Sequence, residues 1–197
     1  MNDGKVKILA LAGSTRSQSL NKRLLAAVAA LADPATAEVE IIDLRDFPLP
    51  LYDGDLEDAE GVPDNAMTLK EKFREADALL ISTPEYNTSL PAVLKNAIDW
   101  ISRPVEGVPW LSEISGQVLG AMSASPGSTG GMQALAHLRQ MFSNLGAYVV
   151  PGFTACPNAA AAFDDNGNFS TEAQARQYAG YLKQVVTLAQ ARKQTPG

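Results

Sequence analysis

The sequence is poor in the residues from which catalytic nucleophiles and metal sites are commonly built. It has a single cysteine, Cys156, which excludes an intrachain disulfide and any metal site made of cysteines. It has a single histidine, His137, which lies in a predicted helix without a serine or cysteine partner at a suitable spacing. We therefore interpret Cys156 as a buried, unreactive thiol and His137 as a structural or surface residue.

Long apolar runs and basic runs are also absent. No apolar run approaches the roughly 20 residues that span a bilayer, and the first residues show no apolar signal segment. The formal net charge is −6 and no stretch is rich in lysine and arginine, which argues against nucleic acid as a partner. We expect a cytoplasmic protein with no membrane insertion and no bound nucleic acid.

Apolar runs of strand length alternate with helical patterns along the chain. The length of 197 residues and the 46% of hydrophobic residues fit one globular domain over residues 1–197. Strands are predicted at residues 5–12, 38–44, 77–83, 118–123 and 147–150, and helices at residues 19–32, 66–75, 91–102, 130–144 and 171–193. This alternation predicts an α/β fold with a five-stranded parallel sheet in the order 2-1-3-4-5 and helices on both faces. Ligands of such sheets bind past the carboxyl ends of the first and third strands.

Residues 45–65 form a long irregular stretch that interrupts this pattern. The stretch holds the clustered carboxylates Asp53, Asp55, Glu57, Asp58 and Glu60. Clustered carboxylates without a tight spacing are usually solvated, so we predict an acidic surface loop. A cation site is the alternative, although the segment matches no metal-loop template.

Three loops of unusual composition follow the first, third and fourth predicted strands. In a parallel sheet these loops, residues 13–21, 84–90 and 123–131, leave from the same edge. The first carries a glycine, several hydroxyls and one arginine before a helix N-terminus, where backbone N–H groups and the helix dipole favour an anion. It lacks the Gly-Lys pair of a P-loop and the three glycines of a dinucleotide fingerprint. It therefore suits a terminal monophosphate, with an ordinary polar turn as the alternative.

The second and third loops have features that suit a flat ring. Pro84-Glu85-Tyr86-Asn87 places an aromatic residue directly after a buried strand, and the alternative is a turn stabilised by its proline and asparagine. Residues 123–131 hold three glycines, which permit close approach of the backbone to a ligand. A flexible linker is the alternative for this third loop.

Four motifs, in order, resemble those of the NAD(P)H-dependent FMN reductase family, which comprises flavodoxin-like quinone, chromate and azo reductases. Residues 13–21 match its pattern G-S-x-R-x-x-S-x-N, and residues 84–87 match its second signature, Pro-Glu-Tyr-Asn. Residues 94–100 look like its following helix, and Gly130-Gly131 with Leu138-Arg139-Gln140 resembles its fourth segment. The resemblance covers residues 5–150 and implies a flavodoxin-like fold.

The resemblance also implies a cofactor site for FMN. Its residues would be Ser14, Arg16, Ser19, Leu20, Asn21, Pro84, Glu85, Tyr86, Asn87, Ser123, Gly127 and Gly130. The polar residues of the first loop would hold the phosphate, the second loop would flank the isoalloxazine ring, and Ser123 with residues 127–131 would lie near its pyrimidine end. No catalytic side chain and no metal are implied.

The resemblance further implies NADPH or NADH as the co-substrate and a small-molecule acceptor, such as a quinone, chromate, an azo compound or free flavin. It implies a homodimer or homotetramer, with the helix of residues 94–100 at a subunit interface. Residues 151–197 receive no role beyond closing the fold. A flavodoxin-type electron carrier is the main alternative, although its phosphate loop usually lacks an arginine such as Arg16. A regulatory domain without a cofactor is the second alternative.

Overall fold

The strands and helices follow the predicted alternation. The computed structural model describes residues 4–194, so residues 1–3 and 195–197 of the predicted domain lie outside the described part. The strands are β1 (Val6–Ala12), β2 (Ala37–Ile42), β3 (Ala78–Thr83), β4 (Val118–Ala124), β5 (Tyr148–Val149) and β6 (Ala155–Cys156). The α-helices are α1 (Leu20–Ala29), α2 (Gly54–Glu60), α3 (Asp64–Glu75), α4 (Ala92–Ile101), α5 (Met132–Asn144) and α6 (Glu172–Gln194).

The sheet is parallel and has the order β2-β1-β3-β4-β5, which confirms the predicted order. The fifth position differs from the prediction, because two short strands share it. β5 pairs with the start of β4, and β6 pairs with Ser123 and Ala124 at its end. Pro151 and Gly152 interrupt the strand between them, since proline has no N–H to donate and Gly152 has a φ of 142°. Strands of two residues are too short to show an alternating pattern, so β6 was not predicted.

Two hydrophobic cores lie on opposite faces of this sheet. Helices α1 and α6 cover one face, with Leu24 and Val185 fully buried there. Helices α3, α4 and α5 cover the other face, with Leu69 and Leu138 fully buried. All residues of β3 and β4 are buried, which explains why these strands read as continuous apolar runs. The prediction of helices on both faces is therefore confirmed.

The acidic stretch lies at the surface as predicted, but part of it is a helix and not a loop. Residues 54–60 form α2, and Asp53 caps it by accepting the N–H of Asp55 at 2.9 Å. Carboxylates in the first turn are favoured by the helix dipole, which the loop interpretation overlooked. Glu57 accepts the hydroxyl of Tyr52 at 2.9 Å and pairs with Arg103 at 3.0 Å. This carboxylate therefore tethers α2 to the segment that follows α4.

A buried ion pair fixes the C-terminal end of α4. Lys70 on α3 lies 3.2 Å from the carboxylate of Glu113, and both side chains are almost completely buried. The Lys70 ammonium also donates to the carbonyls of Ile101 and Arg103 at 2.8 and 2.7 Å. These are carbonyls that the end of a helix leaves without intrahelical partners. One lysine therefore satisfies the end of α4 and neutralises Glu113.

We predict that Lys70→Met lowers the free energy of unfolding by about 3–5 kcal/mol, because it leaves the Glu113 carboxylate buried without a counter-charge. Urea unfolding followed by circular dichroism measures the change. The double variant Lys70→Met/Glu113→Leu should recover part of the loss, since it removes both charges. A single variant as stable as the parent protein would contradict this view of the ion pair.

Candidate functional site

The loops after β1, β3 and β4 converge at one edge of the sheet and line a single pocket. This edge lies where the strand order reverses between β1 and β3, the position at which open α/β sheets bind ligands. The pocket is lined by Ser14, Arg16, Ser19, Leu20, Asn21, Pro84, Glu85, Tyr86, Ala124, Ser125 and Pro126. Of the predicted site residues, Asn87, Ser123, Gly127 and Gly130 lie outside this lining. The three loops that were singled out in the sequence are thus brought together.

The first loop offers hydrogen-bond donors at the start of α1. Ser19 is the N-cap, and its hydroxyl accepts the N–H groups of Asn21 and Lys22 at 3.2 and 3.4 Å. Its carbonyl accepts the N–H of Arg23, so the remaining N–H of the first turn is that of Leu20. Ser14 and Ser19 are buried, whereas Arg16 is exposed. A helix N-terminus with two hydroxyls and an arginine is well suited to an anion.

Close packing holds this loop against α4. A Cβ atom on Gly13 would lie 2.8 Å from Cδ2 of Leu94, which is fully buried. The N–H of Gly13 donates to the carbonyl of Ser82 at 2.9 Å. Glycine at this position therefore lets the loop lie directly on the helix that follows the second loop.

Asn21 joins the first loop to β3 and β4, the other two strands that lead into the site. Its Oδ1 accepts the hydroxyl of Ser82 and the N–H of Ala124, both at 2.9 Å, and its Nδ2 donates to the carbonyl of Ala124 at 2.9 Å. Its side chain is buried, and these bonds go to the protein itself. The structure therefore places Asn21 as the residue that fixes the first loop to the ends of β3 and β4. Ser82, a polar residue within an apolar strand, was the available signal for this contact.

The second loop is a tight hairpin that presents Tyr86 to solvent. Tyr86 and Ser89 exchange two backbone hydrogen bonds of 3.1 Å, and Asn87 and Thr88 have φ values of 50° and 63°. Positive φ at both central residues is the geometry of a type I′ turn. Such a φ is uncommon for a β-branched residue like Thr88, so the turn is held by its surroundings. Tyr86 is 54% exposed beside the pocket.

Glu85 connects the second loop to the helix after the third loop. Its Oε2 accepts the N–H groups of Gln133 and Ala134 at 2.8 and 3.1 Å. Helix α5 begins after Gly131, which has no side chain to cap it. A carboxylate at a helix N-terminus satisfies the free N–H groups and the helix dipole. The sequence analysis missed this contact, for which the uncapped glycine start of α5 was the only signal.

His137 also contacts the second loop. Its Nδ1 lies 3.0 Å from the hydroxyl of Ser89, a partner that the spacing in the sequence did not imply. No carboxylate within residues 4–194 is hydrogen-bonded to the imidazole, so the pair lacks the third group that orients a catalytic base. The contact links α5 to the hairpin that carries Tyr86.

The third loop rests on the segment that follows β5. Gly130 has a φ of 66°, and a Cβ atom there would lie 2.7 Å from the backbone nitrogen of Pro157. Asn158 donates its N–H to the carbonyl of Gly127 at 3.1 Å. Residues 155–159, to which the sequence assigned no role beyond closing the fold, therefore support the glycine loop. Gly127 is exposed and has neither a positive φ nor a close neighbour.

Two buried polar groups lie near this loop. The Ser123 hydroxyl has no hydrogen-bond partner within residues 4–194 and lies at the end of β4 against Gly131. Cys156 is buried as interpreted from the sequence, and burial raises the pKa of its thiol. A raised pKa favours the protonated thiol, in keeping with the interpretation of Cys156 as unreactive. Of these two groups, the Ser123 hydroxyl is therefore the one that could still form a hydrogen bond.

The two glycines of the third loop should respond differently to alanine. We predict that Gly130→Ala lowers the free energy of unfolding by at least about 1–2 kcal/mol, because a left-handed backbone and a backbone neighbour both oppose a Cβ atom. Gly127→Ala serves as the matched control and should change stability by less than about 0.5 kcal/mol. Thermal and urea unfolding measure both values. Equal losses in the two variants would contradict this assignment.

Comparison with known proteins gives relatives along most of the chain. The family described as NADPH-dependent FMN reductase matches residues 6–162. A quinone reductase from Escherichia coli (strain K12) is 39% identical over 151 residues, which cover 74% of each chain. An NAD(P)H-dependent FMN reductase from Pseudomonas aeruginosa is 42% identical over 135 residues, which cover 68% of each chain.

A solved structure extends this similarity to the whole fold. It is the flavoenzyme NAD(P)H:(acceptor) oxidoreductase FerB from Paracoccus denitrificans. The two structures align with a TM-score of 0.81 at 28% sequence identity, over 95% of this chain and 98% of the other. An alignment over 95% of the chain has to extend past residue 162, where the family match ends.

Proposed function

The chain belongs to the NADPH-dependent FMN reductase family, and on that premise we propose that it reduces quinones. It is an NAD(P)H-dependent oxidoreductase with FMN as its cofactor. The predictions of family, cofactor and enzyme class are thereby confirmed. A quinone is the acceptor favoured here, because relatives at 39% identity carry that activity in their names.

One observation of the structure supports this function most directly. The pocket joins an anion-binding loop, with Arg16, Ser14 and Ser19, to the exposed ring of Tyr86. FMN has a phosphate at one end and a flat ring with polar atoms at the other. Leu20, whose N–H is left over in the first turn of α1, and the exposed Arg16 both line this pocket and suit the phosphate. The residues present therefore fit the cofactor.

The protein positions the reaction and contributes no catalytic side chain in this proposal. Bound FMN would supply the redox chemistry: acceptance of a hydride from NAD(P)H, which leaves as NAD(P)⁺, and transfer of two electrons that, with one proton from solvent, convert a quinone to the hydroquinone. Arg16 and the serines hold the phosphate, while Asn21 and Glu85 keep the three loops in register around the ring.

The alternatives fit less well. A flavodoxin-type carrier is not favoured, because the relatives over most of the chain are enzymes that use NAD(P)H. A regulatory domain without a cofactor would not need an open arginine beside a helix N-terminus in a pocket at this sheet edge. Chromate, azo compounds and free flavin stay as alternative acceptors at the same pocket.

The visible spectrum of the purified protein is the first test. A flavin spectrum, together with NADPH or NADH oxidation that depends on an added quinone, supports the proposal. A colourless protein that cannot be reconstituted with FMN would overturn it. Flavin that is reduced only by a partner protein, and not by NAD(P)H, would favour the carrier.

Arg16 provides a residue-level test. We predict that Arg16→Ala weakens FMN binding by about 1.5–3 kcal/mol, roughly tenfold to more than a hundredfold, because it removes a charged donor from the phosphate. Quenching of flavin fluorescence during titration of the apoprotein measures the affinity. Arg74→Ala, an exposed arginine on α3, is the matched control and should leave FMN affinity unchanged. Equal FMN affinity in both variants would contradict the role of Arg16.

We further propose a single domain, because both cores pack against one sheet. The cytoplasmic location and the homodimer or homotetramer stay predictions. Among residues 4–194, no helix is both long and apolar enough to cross a membrane.

Within α4, Leu94, Ile98 and Trp100 are buried in the chain's own core, so an interface on α4 would use its other side, with Lys95 and Asp99.

Light scattering during gel filtration should give two or four times the chain mass of 20.9 kDa. The family resemblance is the basis of this expectation. A single species at the chain mass, over the range of protein concentrations used in the assays, would rule out the predicted oligomer.

A further inference from the structure

We infer that Arg45, with the apolar pocket beside it, binds the adenosine 2′-phosphate end of NADPH and makes the enzyme prefer NADPH to NADH. This inference rests on the proposed function and identifies its reductant more closely. The pocket is lined mainly by Leu44, Arg45, Phe47, Leu49 and Val93, with Thr15 at its edge. Nothing in the cofactor site described above uses it.

The pocket lies on the other side of the phosphate loop from the cofactor site. Thr15 lines the Arg45 pocket, whereas its neighbours Ser14 and Arg16 line the cofactor pocket. Residues 14–16 therefore separate the two pockets and together line both of them. A dinucleotide whose nicotinamide reaches the ring beside Tyr86 can lie along these residues with its adenosine end in the second pocket.

Arg45 forms no direct ion pair within the described part of the chain, although its charge acts on the nearby Asp43. It is exposed, and its guanidinium donates to the carbonyl of Thr15. The adjacent carboxylate, Asp43, is paired with Lys22 at 2.5 Å. Arg16 and Arg45 thus flank Thr15 as two open cations. FMN has one phosphate, which Arg16 matches, so Arg45 is available to a second anion.

The chemistry of the pocket fits the part of NADPH that distinguishes it from NADH. Arginine presents a planar fork of donors that suits phosphate oxygens, and arginines accommodate the 2′-phosphate in other nucleotide-binding folds. Phe47 and the aliphatic side chains offer an apolar surface for the flat adenine ring. A cation at the mouth of an apolar pocket is the combination that this end of the molecule needs.

A neighbouring groove is a weaker candidate for the same phosphate. It lies between α4 and α5 and contains Lys95 and His137. Both carboxylate oxygens of Asp99 bind the Lys95 ammonium, at 2.6 and 2.9 Å, and His137 is occupied by Ser89. The Lys95 ammonium in this groove is therefore already paired with a carboxylate, whereas Arg45 forms no such ion pair within residues 4–194.

Isothermal titration of the FMN-loaded protein tests the inference. The probes are adenosine 2′,5′-bisphosphate and adenosine 5′-monophosphate, which differ by the 2′-phosphate. The parent protein should bind the bisphosphate at least about tenfold more tightly, as expected for a charged hydrogen bond. Arg45→Gln should abolish this difference, and Arg45→Lys should restore part of it. Arg74→Gln, the matched control, should behave like the parent.

The kinetic counterpart is the dissociation constant of each reductant, obtained from the rate of flavin reduction at increasing concentrations. Arg45→Gln should raise the constant for NADPH roughly tenfold or more and leave that for NADH unchanged. A parent protein that binds the two adenosine phosphates equally tightly would overturn the inference. So would an Arg45→Gln variant whose affinities for NADPH and NADH fall by the same factor.

FMN affinity is measured first for each variant, by fluorescence titration. A loss of FMN affinity in Arg45→Gln would mean that Arg45 only supports the phosphate loop through Thr15, and would also overturn the inference. A parent protein that binds no FMN would instead overturn the proposed function. The two failures are therefore distinguishable.

Discussion

The buried side chain of Asn21 is the constraint on which the site depends. One amide accepts from Ser82 and Ala124 and donates back to Ala124, so it ties the first loop to the ends of β3 and β4. These bonds lie in the protein interior, away from water. Hydrogen bonds are stronger there, and an unpaired polar group costs more free energy. Any shift of the loop would leave several buried groups without partners. The position of the anion-binding donors relative to the sheet is set in this way.

The second and third loops are fixed by the same kind of long-range contact. Glu85 caps α5 across 48 positions of sequence, and Asn158 supports the backbone of Gly127. Each loop is thus held by a residue from a different element, which preorganises the pocket before a ligand arrives. Preorganisation reduces the entropy that binding must offset, so affinity can rest on few direct contacts.

The sequence predicted the features that depend on local pattern and missed those that depend on distant partners. Buried parallel strands require continuous apolar runs, so strand order and helical layers could be inferred. The composition of the loops, together with the resemblance, located the pocket. The capping role of Glu85 and the support from Asn158 link residues far apart in the chain, and no local pattern reports such pairs. Residues 54–60 were misread because acidic residues suit a helix start as well as a solvated loop.

The interruption between β5 and β6 also affects how the protein behaves at high concentration. The open side of an edge strand presents free N–H and C=O groups on which another chain can extend the sheet. Here that edge is divided into two segments of two residues, with Pro151 and a bend between them. Neither segment is long enough to template an added strand. The break therefore protects this edge of the sheet from pairing with another chain, whereas β2 forms the opposite edge.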